Sequence, residues 1–198
     1  ELEGALAESV EPNDSGDQWT VKLKDGMEWH NGKSITVDDV VFSVERMFDV
    51  EAAGAARLKT LGIRRMRKLD PLTLRFELKA PNGLLRDFFT PELPNIVPKG
   101  YDPEKPVGSG PFKLESFDPG RESVFTRFEN YHGEPAFIDE LRVVNYDDDS
   151  ARVNALLSGQ VDGVAGVPAG QADVIKQGGK YELLISEGGA FRPFTMRV

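Results

Sequence analysis

Residues 19–47 read WTVKLKDGMEWHNGKSITVDDVVFSVERM. Apolar and polar side chains alternate over residues 19–24, which predicts a half-buried β-strand. Thr36 and Asp39 then form a T-x-x-D capping box, which satisfies free backbone N–H groups at the start of a helix. The apolar residues that follow recur at helical spacing and predict one buried stripe, formed by Val37, Val40, Val41, Val44, Met47 and Phe48. The stretch therefore predicts a strand followed by a helix that packs on a sheet.

The neighbouring sequence extends this sheet. Asp70-Pro71 is a turn signal between two runs with strand patterning, and prolines break the chain repeatedly between residues 80 and 107. We interpret residues 91–107 as a linker and a domain boundary. The predicted elements before it are a strand near residues 6–10, a hairpin of residues 62–69 and 72–79, and a short helix at residues 84–89.

The second half of the chain opens with Gly108-Ser109-Gly110-Pro111-Phe112 and mixes strands with helices. Pro119-Gly120 suits a type II turn between strands at residues 112–117 and 123–128. The remaining predictions are strands at residues 140–145, 161–164, 181–185 and 194–198, and helices at residues 151–158 and 169–177. The fold class expected is mixed α/β (α+β), with one subdomain at residues 1–100 and another at residues 101–198.

Composition excludes several classes of protein. The 198 residues are 39% hydrophobic and 9% aromatic, which is too apolar for a disordered chain. The net charge of −9 argues against a nucleic-acid partner, which needs a basic surface. No apolar run is long enough to span a bilayer, and the absence of cysteine excludes disulfides, thiolate metal sites and cysteine nucleophiles.

One block of the chain is basic. Residues 51–100 carry ten basic and five acidic side chains, and much of the excess lies between Arg57 and Lys68. No aromatic residue is interleaved there as a stacking platform for bases. We therefore interpret the block as a solvated strand face.

Motifs for chemistry are absent. His30 and His132 are the two histidines, and neither belongs to an H-x-x-x-H or H-E-x-x-H pattern, so both are interpreted as loop residues with ordinary partners. Gly108-Ser109-Gly110 resembles a phosphate loop, but Pro111 lacks the N–H that such a loop needs. Asp147-Asp148-Asp149 is interpreted as the capped start of a helix rather than a cation site. The sequence therefore predicts no catalytic residue, no metal and no cofactor.

Three motifs, in order along the chain, carry a family resemblance. They are the stretch at residues 19–47 quoted above, PVGSGPFKLESFDPGRESVFTRFENYHGEPAFIDELRV at residues 106–143, and ARVNALLSGQVDGV at residues 151–164. Together they resemble the extracellular solute-binding proteins of family 5, the oligopeptide, dipeptide and nickel binders that serve ABC importers. Trp29 stands where the family more often has Phe, Asn31 where it has Asp, and Ser109 where it has Thr.

The resemblance implies a periplasmic-binding-protein-like architecture, in which two lobes close on a ligand. It covers less than half of a complete member. The chain is expected to be part of lobe I, a small α/β subdomain and part of the main one, ending at the strand that leads to the hinge. The second lobe is expected to be absent from it. Much of the family's ligand recognition lies in those other parts.

The resemblance also implies a function. A small solute, above all an oligopeptide or dipeptide, would be captured outside the cytoplasmic membrane, in the periplasm or on a cell-surface lipoprotein, and delivered to ABC transporter permease subunits. Membrane association is expected only through the permease or a lipid anchor, and no nucleic acid is expected as partner. The implied ligand-binding residues are Ser109, Gly110 and Pro111 at the cleft floor and Gly166, Val167 and Pro168 at its rim.

Two other classes stay open from the sequence alone. One is a metal-assisted hydrolase that uses Asp147–Asp149 with His30, and the other is a structural fragment that binds no solute itself. The turn Tyr131-His132-Gly133 is expected to be architectural. The sequence does not identify the ligand among peptides, sugar oligomers and nickel.

Overall fold

The computed structural model describes residues 4–49, 58–89 and 95–185. The chain divides into two compact units, residues 1–143 and residues 144–198. The expected subdomain boundary at residue 100 stays a prediction, and the predicted strand at residues 194–198 lies outside the described residues. Within the described ranges, no helix is long and apolar enough to cross a membrane.

The first unit contains a four-stranded antiparallel sheet with the order β1-β2-β4-β3. The alternation read from the sequence is confirmed, because Trp19, Val21 and Leu23 are buried on one face of β2. The strands are β1 Ala7–Pro12, β2 Gln18–Leu23, β3 Ile63–Lys68 and β4 Thr73–Leu78, and the helices of this part are α1 Val37–Asp49 and α2 Leu85–Phe88.

Helix α1 packs its predicted stripe against the sheet. Val37, Val40 and Val44 are buried in the same hydrophobic core as β2 and β4, and Val41 and Met47 are half-buried against it. Phe48, predicted to be buried, is 37% exposed, because burial decreases along the last turn of the helix. The capping box forms through its acid, since Oδ2 of Asp39 accepts the backbone N–H of Thr36 at 2.9 Å.

Two buried polar side chains of α1 form hydrogen bonds to the backbone of residues 97–99. Oδ1 of Asp39 accepts the backbone N–H of Lys99 at 2.7 Å. The hydroxyl of Ser43 accepts the N–H of Val97 at 2.9 Å and donates to the carbonyl of Asp39 at 2.7 Å. Both side chains are less than a tenth exposed, so these bonds are shielded from water. They fix the path that leads to the turn at residue 108.

A second sheet follows in the order β5-β6-β7, with β5 Phe112–Asp118, β6 Glu122–Arg127 and β7 Glu140–Val144. The predicted type II turn is confirmed. Gly120 has a φ of +77°, and Arg121 donates its N–H to the carbonyl of Asp118 at 3.0 Å. Glycine has no Cβ to clash in that conformation, which is why it occupies the third position of the turn.

The second unit is built on two helices, α3 Asp149–Leu157 and α4 Ala169–Gly178. Their core is formed by Val153, Leu156 and Ile175. Asp148 caps α3 as predicted, accepting the N–H of Ala151 at 2.8 Å, and Gly179 ends α4 with a φ of +63°. Both predicted helices are therefore confirmed.

The predicted strands at residues 161–164 and 181–185 are wrong. Residues 144–185 of this unit include no neighbouring strand to pair with them, and both segments are irregular. Val161, Val164 and Tyr181 pack instead against the core of the two helices. Their apolar pattern reflects that packing rather than an extended ladder.

Candidate solute-binding site

The turn at residues 108–111 is held by the ring of His30. The N–H of Gly108 donates to Nδ1 of His30 at 3.3 Å, and Nε2 of the ring lies 2.9 Å from the carbonyl oxygen of Gly110. Because Nδ1 accepts, the ring proton is on Nε2, which donates to Gly110. The backbone N–H of His30 also donates to the carbonyl of Gly108 at 2.8 Å. Three hydrogen bonds thus join His30 to Gly108 and Gly110, the residues on either side of Ser109.

Packing around His30 explains the glycine at position 108. A Cβ added to Gly108 would lie 3.2 Å from Cε1 of the ring, closer than ordinary van der Waals contact. On another side the ring meets Phe128 edge-on, with centroids 4.9 Å apart. Phe128 in turn donates its N–H to the carbonyl of Pro111 at 2.9 Å. The turn is therefore held by His30 from the first family motif and by Phe128 from the second.

Ser109 lies on the wall of a groove in the first unit. The groove has a volume of about 730 Å³, within the range of small-molecule sites. Gly110 and Pro111 do not line it, so of the three residues predicted on this turn only Ser109 reaches it. Strand β1 forms one side, and Tyr131 and His132 also line the groove.

The groove combines an apolar floor with a few polar groups. Val10, Val21 and Phe76 contribute to the apolar part, and Glu8 and Arg86 to the polar part. Burial lowers the pKa of His132, and the charge of Lys24 lowers it further, although a hydrogen bond to the backbone of Ala5 acts in the other direction. The ring of His132 is accordingly favoured in its neutral form, which can both donate and accept a hydrogen bond.

The turn Tyr131-His132-Gly133 also has an architectural constraint. A Cβ on Gly133 would lie 2.7 Å from Cε1 of Tyr131, so a side chain there would require the Tyr131 ring to move. The rings of Tyr131 and His132 pack against each other with centroids 4.7 Å apart. The packing of the Tyr131 ring therefore favours glycine at position 133.

The second predicted segment, Gly166-Val167-Pro168, belongs to the second unit. Nη2 of Arg152 donates to the carbonyl of Gly166 at 2.9 Å and to Oδ1 of Asp149 at 2.6 Å. Gly166 has a φ of +67°, Val167 packs on the core of α3 and α4, and Pro168 is the residue before α4 begins. Nε of Arg152 is buried without a partner among the described residues. Each of the three predicted residues thus has a structural role.

The acidic run at residues 147–149 is used within its own unit. Asp148 caps α3, and Asp149 pairs with Arg152. Nowhere in residues 4–49, 58–89 and 95–185 do three histidine, aspartate or glutamate side chains converge into a metal-binding group. The geometry therefore gives no support to a hydrolase built on these aspartates.

The sequence did not predict that His30 holds the turn, or that Asp39 and Ser43 hold the chain that leads to it. It predicted ordinary loop partners or a place in a hydrolase for His30, and a capping role for Asp39. A signal was present, because His30 and Gly108 lie in two different motifs of the same family resemblance. The pairing itself joins residues 78 positions apart, and a single sequence does not show it.

The family described as bacterial extracellular solute-binding proteins, family 5 Middle, matches residues 1–198. The chain belongs to the bacterial extracellular solute-binding proteins of family 5.

Individual relatives agree with this assignment. The oligopeptide-binding protein AppA of Bacillus subtilis is 26% identical over 174 residues, which cover 80% of this chain and 32% of the relative. The structure of AgaA from A. tumefaciens R10 in complex with agropinic acid matches with a TM-score of 0.76 and 34% identity, covering 87% of this chain and 36% of that one. A nickel ABC transporter structure from Bacillus halodurans matches with a TM-score of 0.75 and 30% identity, covering 86% and 35%. The chain therefore spans about a third of the length of these proteins, and what it resembles is part of a periplasmic binding protein.

Proposed function

We propose that this chain forms part of the first lobe of an extracytoplasmic solute-binding protein that captures a small peptide and delivers it to an ABC permease. The observation that carries the proposal is the groove of about 730 Å³ with Ser109 on its wall and His30 holding that turn in place. A preformed turn lowers the entropy that a ligand must remove when it binds. Family membership and the oligopeptide-binding relative support a solute of this class.

The chemistry of the groove suits peptide capture. An apolar floor accommodates varied side chains, and a few polar groups orient the peptide backbone. In a two-lobed protein the ligand stabilises the closed state because it contacts both lobes there. One lobe alone supplies a fraction of those contacts, so we expect weak binding by residues 1–198 by themselves. Gly166, Val167 and Pro168 remain proposed contacts at the rim of the cleft.

The proposed location is outside the cytoplasmic membrane, in the periplasm or on a cell-surface lipoprotein. The family description as extracellular solute-binding proteins supports it. The relatives compared with this chain are described by binding or transport, which supports a function without catalysis.

A second candidate is a structural fragment that binds no solute. Exposed apolar side chains next to and within β7 favour it, since Phe137 is 98% exposed and Val143 is 52% exposed. Surfaces of this kind usually lie against another segment or partner. The same experiment separates the two candidates.

The test measures thermal shift and isothermal titration calorimetry with a dipeptide, glutathione and a nonapeptide as probes. It uses the two-lobed protein that contains this sequence and, in parallel, residues 1–198. We expect at least one probe to stabilise the two-lobed protein, by about 2.7 kcal/mol when its concentration is a hundred times Kd, and residues 1–198 to shift little. If none of the probes binds the two-lobed protein, peptide capture is wrong. If residues 1–198 bind equally well, the site is complete in one lobe.

Variants locate the site. Ser109→Tyr places a ring in the groove and is expected to abolish probe binding. Ser116→Tyr is the matched control, because Ser116 is exposed on β5 and is not part of the groove lining. Equal loss of probe binding in both variants would show that the probe does not bind in this groove.

A further inference from the structure

The strand register places two arginines side by side on the outer face of the four-stranded sheet. Leu74, Phe76 and Leu78 of β4 are buried against the core, so the alternate side chain of Arg75 lies on the opposite face. Arg67 of β3 is directly opposite Arg75 in the antiparallel ladder. Directly opposed side chains share a face, with Cβ atoms about 5 Å apart.

Arg65 extends this pair. It lies two residues before Arg67 on the same strand, hence on the same face, about 7 Å away. Arg65 and Arg67 are exposed, and Arg75 is half-buried. The three residues, Arg65, Arg67 and Arg75, are called the arginine face below.

Two acidic side chains on the same side of the sheet, Glu77 and Glu8, are engaged by other cations. Glu77, opposite Arg65, accepts from Arg64 at 3.2 Å. Glu8 pairs with Lys22. Glu11 of β1 lies opposite Thr20, so strand β2 separates it from Arg75. In the part of the chain that the structure describes, no carboxylate lies within ion-pair distance of any member of the arginine face.

This arrangement is unusual for an acidic chain. Like charges directly opposite each other, as Arg67 and Arg75 are, destabilise a sheet. A protein with 33 acidic and 24 basic residues nevertheless places these two together, with Arg65 beside them and without an ion pair. An anionic partner removes that repulsion, because guanidinium groups bind phosphate through paired hydrogen bonds.

The rest of the face indicates which anionic partner fits. The other outward-facing side chains of β1, β2 and β4 include Ser9, Glu11, Gln18, Thr20, Lys22, Thr73 and Glu77, and none of these is aromatic or aliphatic. Protein interfaces are anchored by buried aromatic or aliphatic residues, and single-stranded nucleic acids by stacked aromatic rings. A sheet face with cations and no such anchors matches a membrane surface of anionic headgroups instead.

We propose that the arginine face rests on anionic phospholipid headgroups and orients the protein at the membrane. The sequence alone predicted membrane association only through the permease or a lipid anchor, and this contact adds a direct one. Each cation near such a surface strengthens association about fivefold, so the three together give a weak, reversible contact of roughly a hundredfold. The inference does not depend on solute binding.

The test is sedimentation of residues 1–198 with vesicles of phosphatidylglycerol and phosphatidylcholine, compared with phosphatidylcholine alone. We expect partition onto the anionic vesicles only, and release when salt is raised because the contact is electrostatic. The double variant Arg67→Gln, Arg75→Gln is expected to lower the partition about thirtyfold. Removing the repulsion leaves the fold intact, which circular dichroism checks.

The matched control is Arg121→Gln, Arg142→Gln. It removes the same charge from exposed positions outside this sheet, where both arginines have acidic partners. We expect its partition to stay within about twofold of the wild type. No partition onto anionic vesicles, or equal losses in the two double variants, would overturn the proposal. Binding to soluble polyglutamate in place of vesicles would also overturn it and indicate an acidic protein partner.

Discussion

Lys99 donates its backbone N–H to the buried carboxylate of Asp39 at 2.7 Å, although 60 positions separate the two residues. The other oxygen of Asp39 accepts the N–H of Thr36 at 2.9 Å and the indole N–H of Trp29 at 3.2 Å. One side chain therefore joins the start of α1, the preceding loop and the returning chain. A carboxylate accepts hydrogen bonds at both of its oxygens, so this one side chain can serve all three donors.

Asp39→Asn is expected to destabilise the first unit. An amide offers one acceptor and turns an NH₂ group toward a backbone or indole N–H, so at least one buried donor loses its partner. The free energy of unfolding should fall by about 2 kcal/mol, measured by urea denaturation followed by circular dichroism.

Asp38→Asn is the control for that change. Asp38 is the neighbouring residue, but its side chain is 44% exposed and its partners are the ammonium groups of Lys68 and Lys99. Lys68 holds the pKa of Asp38 below its usual value, and solvent screens the pair. We expect a loss below about 1 kcal/mol. Similar losses at positions 38 and 39 would contradict the role given to Asp39.

Gly108→Ala tests the clasp formed by His30. The φ of Gly108 is not in the left-handed region, so alanine meets only the ring of His30 at 3.2 Å. His30→Ala removes two ring hydrogen bonds and is expected to cost about 1–2 kcal/mol. When the ring of His30 has been removed, the methyl group added at position 108 has room. Gly108→Ala should then lower the unfolding free energy by less than it does in the wild type. The measurement is a double-mutant cycle of unfolding free energies, and strict additivity would refute the contact.

Arg152→Ala should loosen the segment of residues 165–168. The guanidinium bonds to Gly166 and Asp149, and both bonds are lost in the variant. Hydrogen exchange read by mass spectrometry is expected to speed up in that segment. Lys176→Ala removes the same charge from an exposed position of α4 and should leave exchange there unchanged. Protection that is the same in all three proteins would show that Arg152 does not hold the segment.

We expect the free energy of unfolding to fall in acid because His132 becomes protonated. Burial and Lys24 lower its pKa below 6.5, so the unfolded chain takes up a proton at a pH where the folded chain resists it. The unfolded state then binds more protons, which means that stability rises with pH in this window and is lost as pH drops below about 6.5. Unfolding free energies measured from about pH 8 to pH 5 should show this slope, and His132→Gln should flatten it. An unchanged slope in the variant would assign it to other groups.

Local patterns in the sequence predicted the local structure well. Alternation located β2 and β4, helical spacing located α1, and Pro119-Gly120 located the turn between β5 and β6. Each of these signals depends on neighbours within a few residues, so a single sequence contains them. The family motifs supplied the architecture and the candidate turn.

The errors and omissions came from contacts between distant residues. Val161, Val164 and Tyr181 have strand-like composition, but they pack on helices, and residues 144–185 as described contain no strand to pair with them. The ring of His30 bonds to residues 78 and 80 positions away, and the pairing of Arg67 with Arg75 depends on strand register. These relationships are set by tertiary packing, which alternation and spacing do not encode.

The two tryptophans of the chain, Trp19 and Trp29, are both buried in the core of the first unit, with exposures of 6% and 1%. Their fluorescence emission consequently reports the melting of residues 1–143 and is silent about residues 144–198, where Tyr146 and Tyr181 are the aromatic phenols. A single fluorescence transition would thus look complete even if the second unit had already opened or had yet to open.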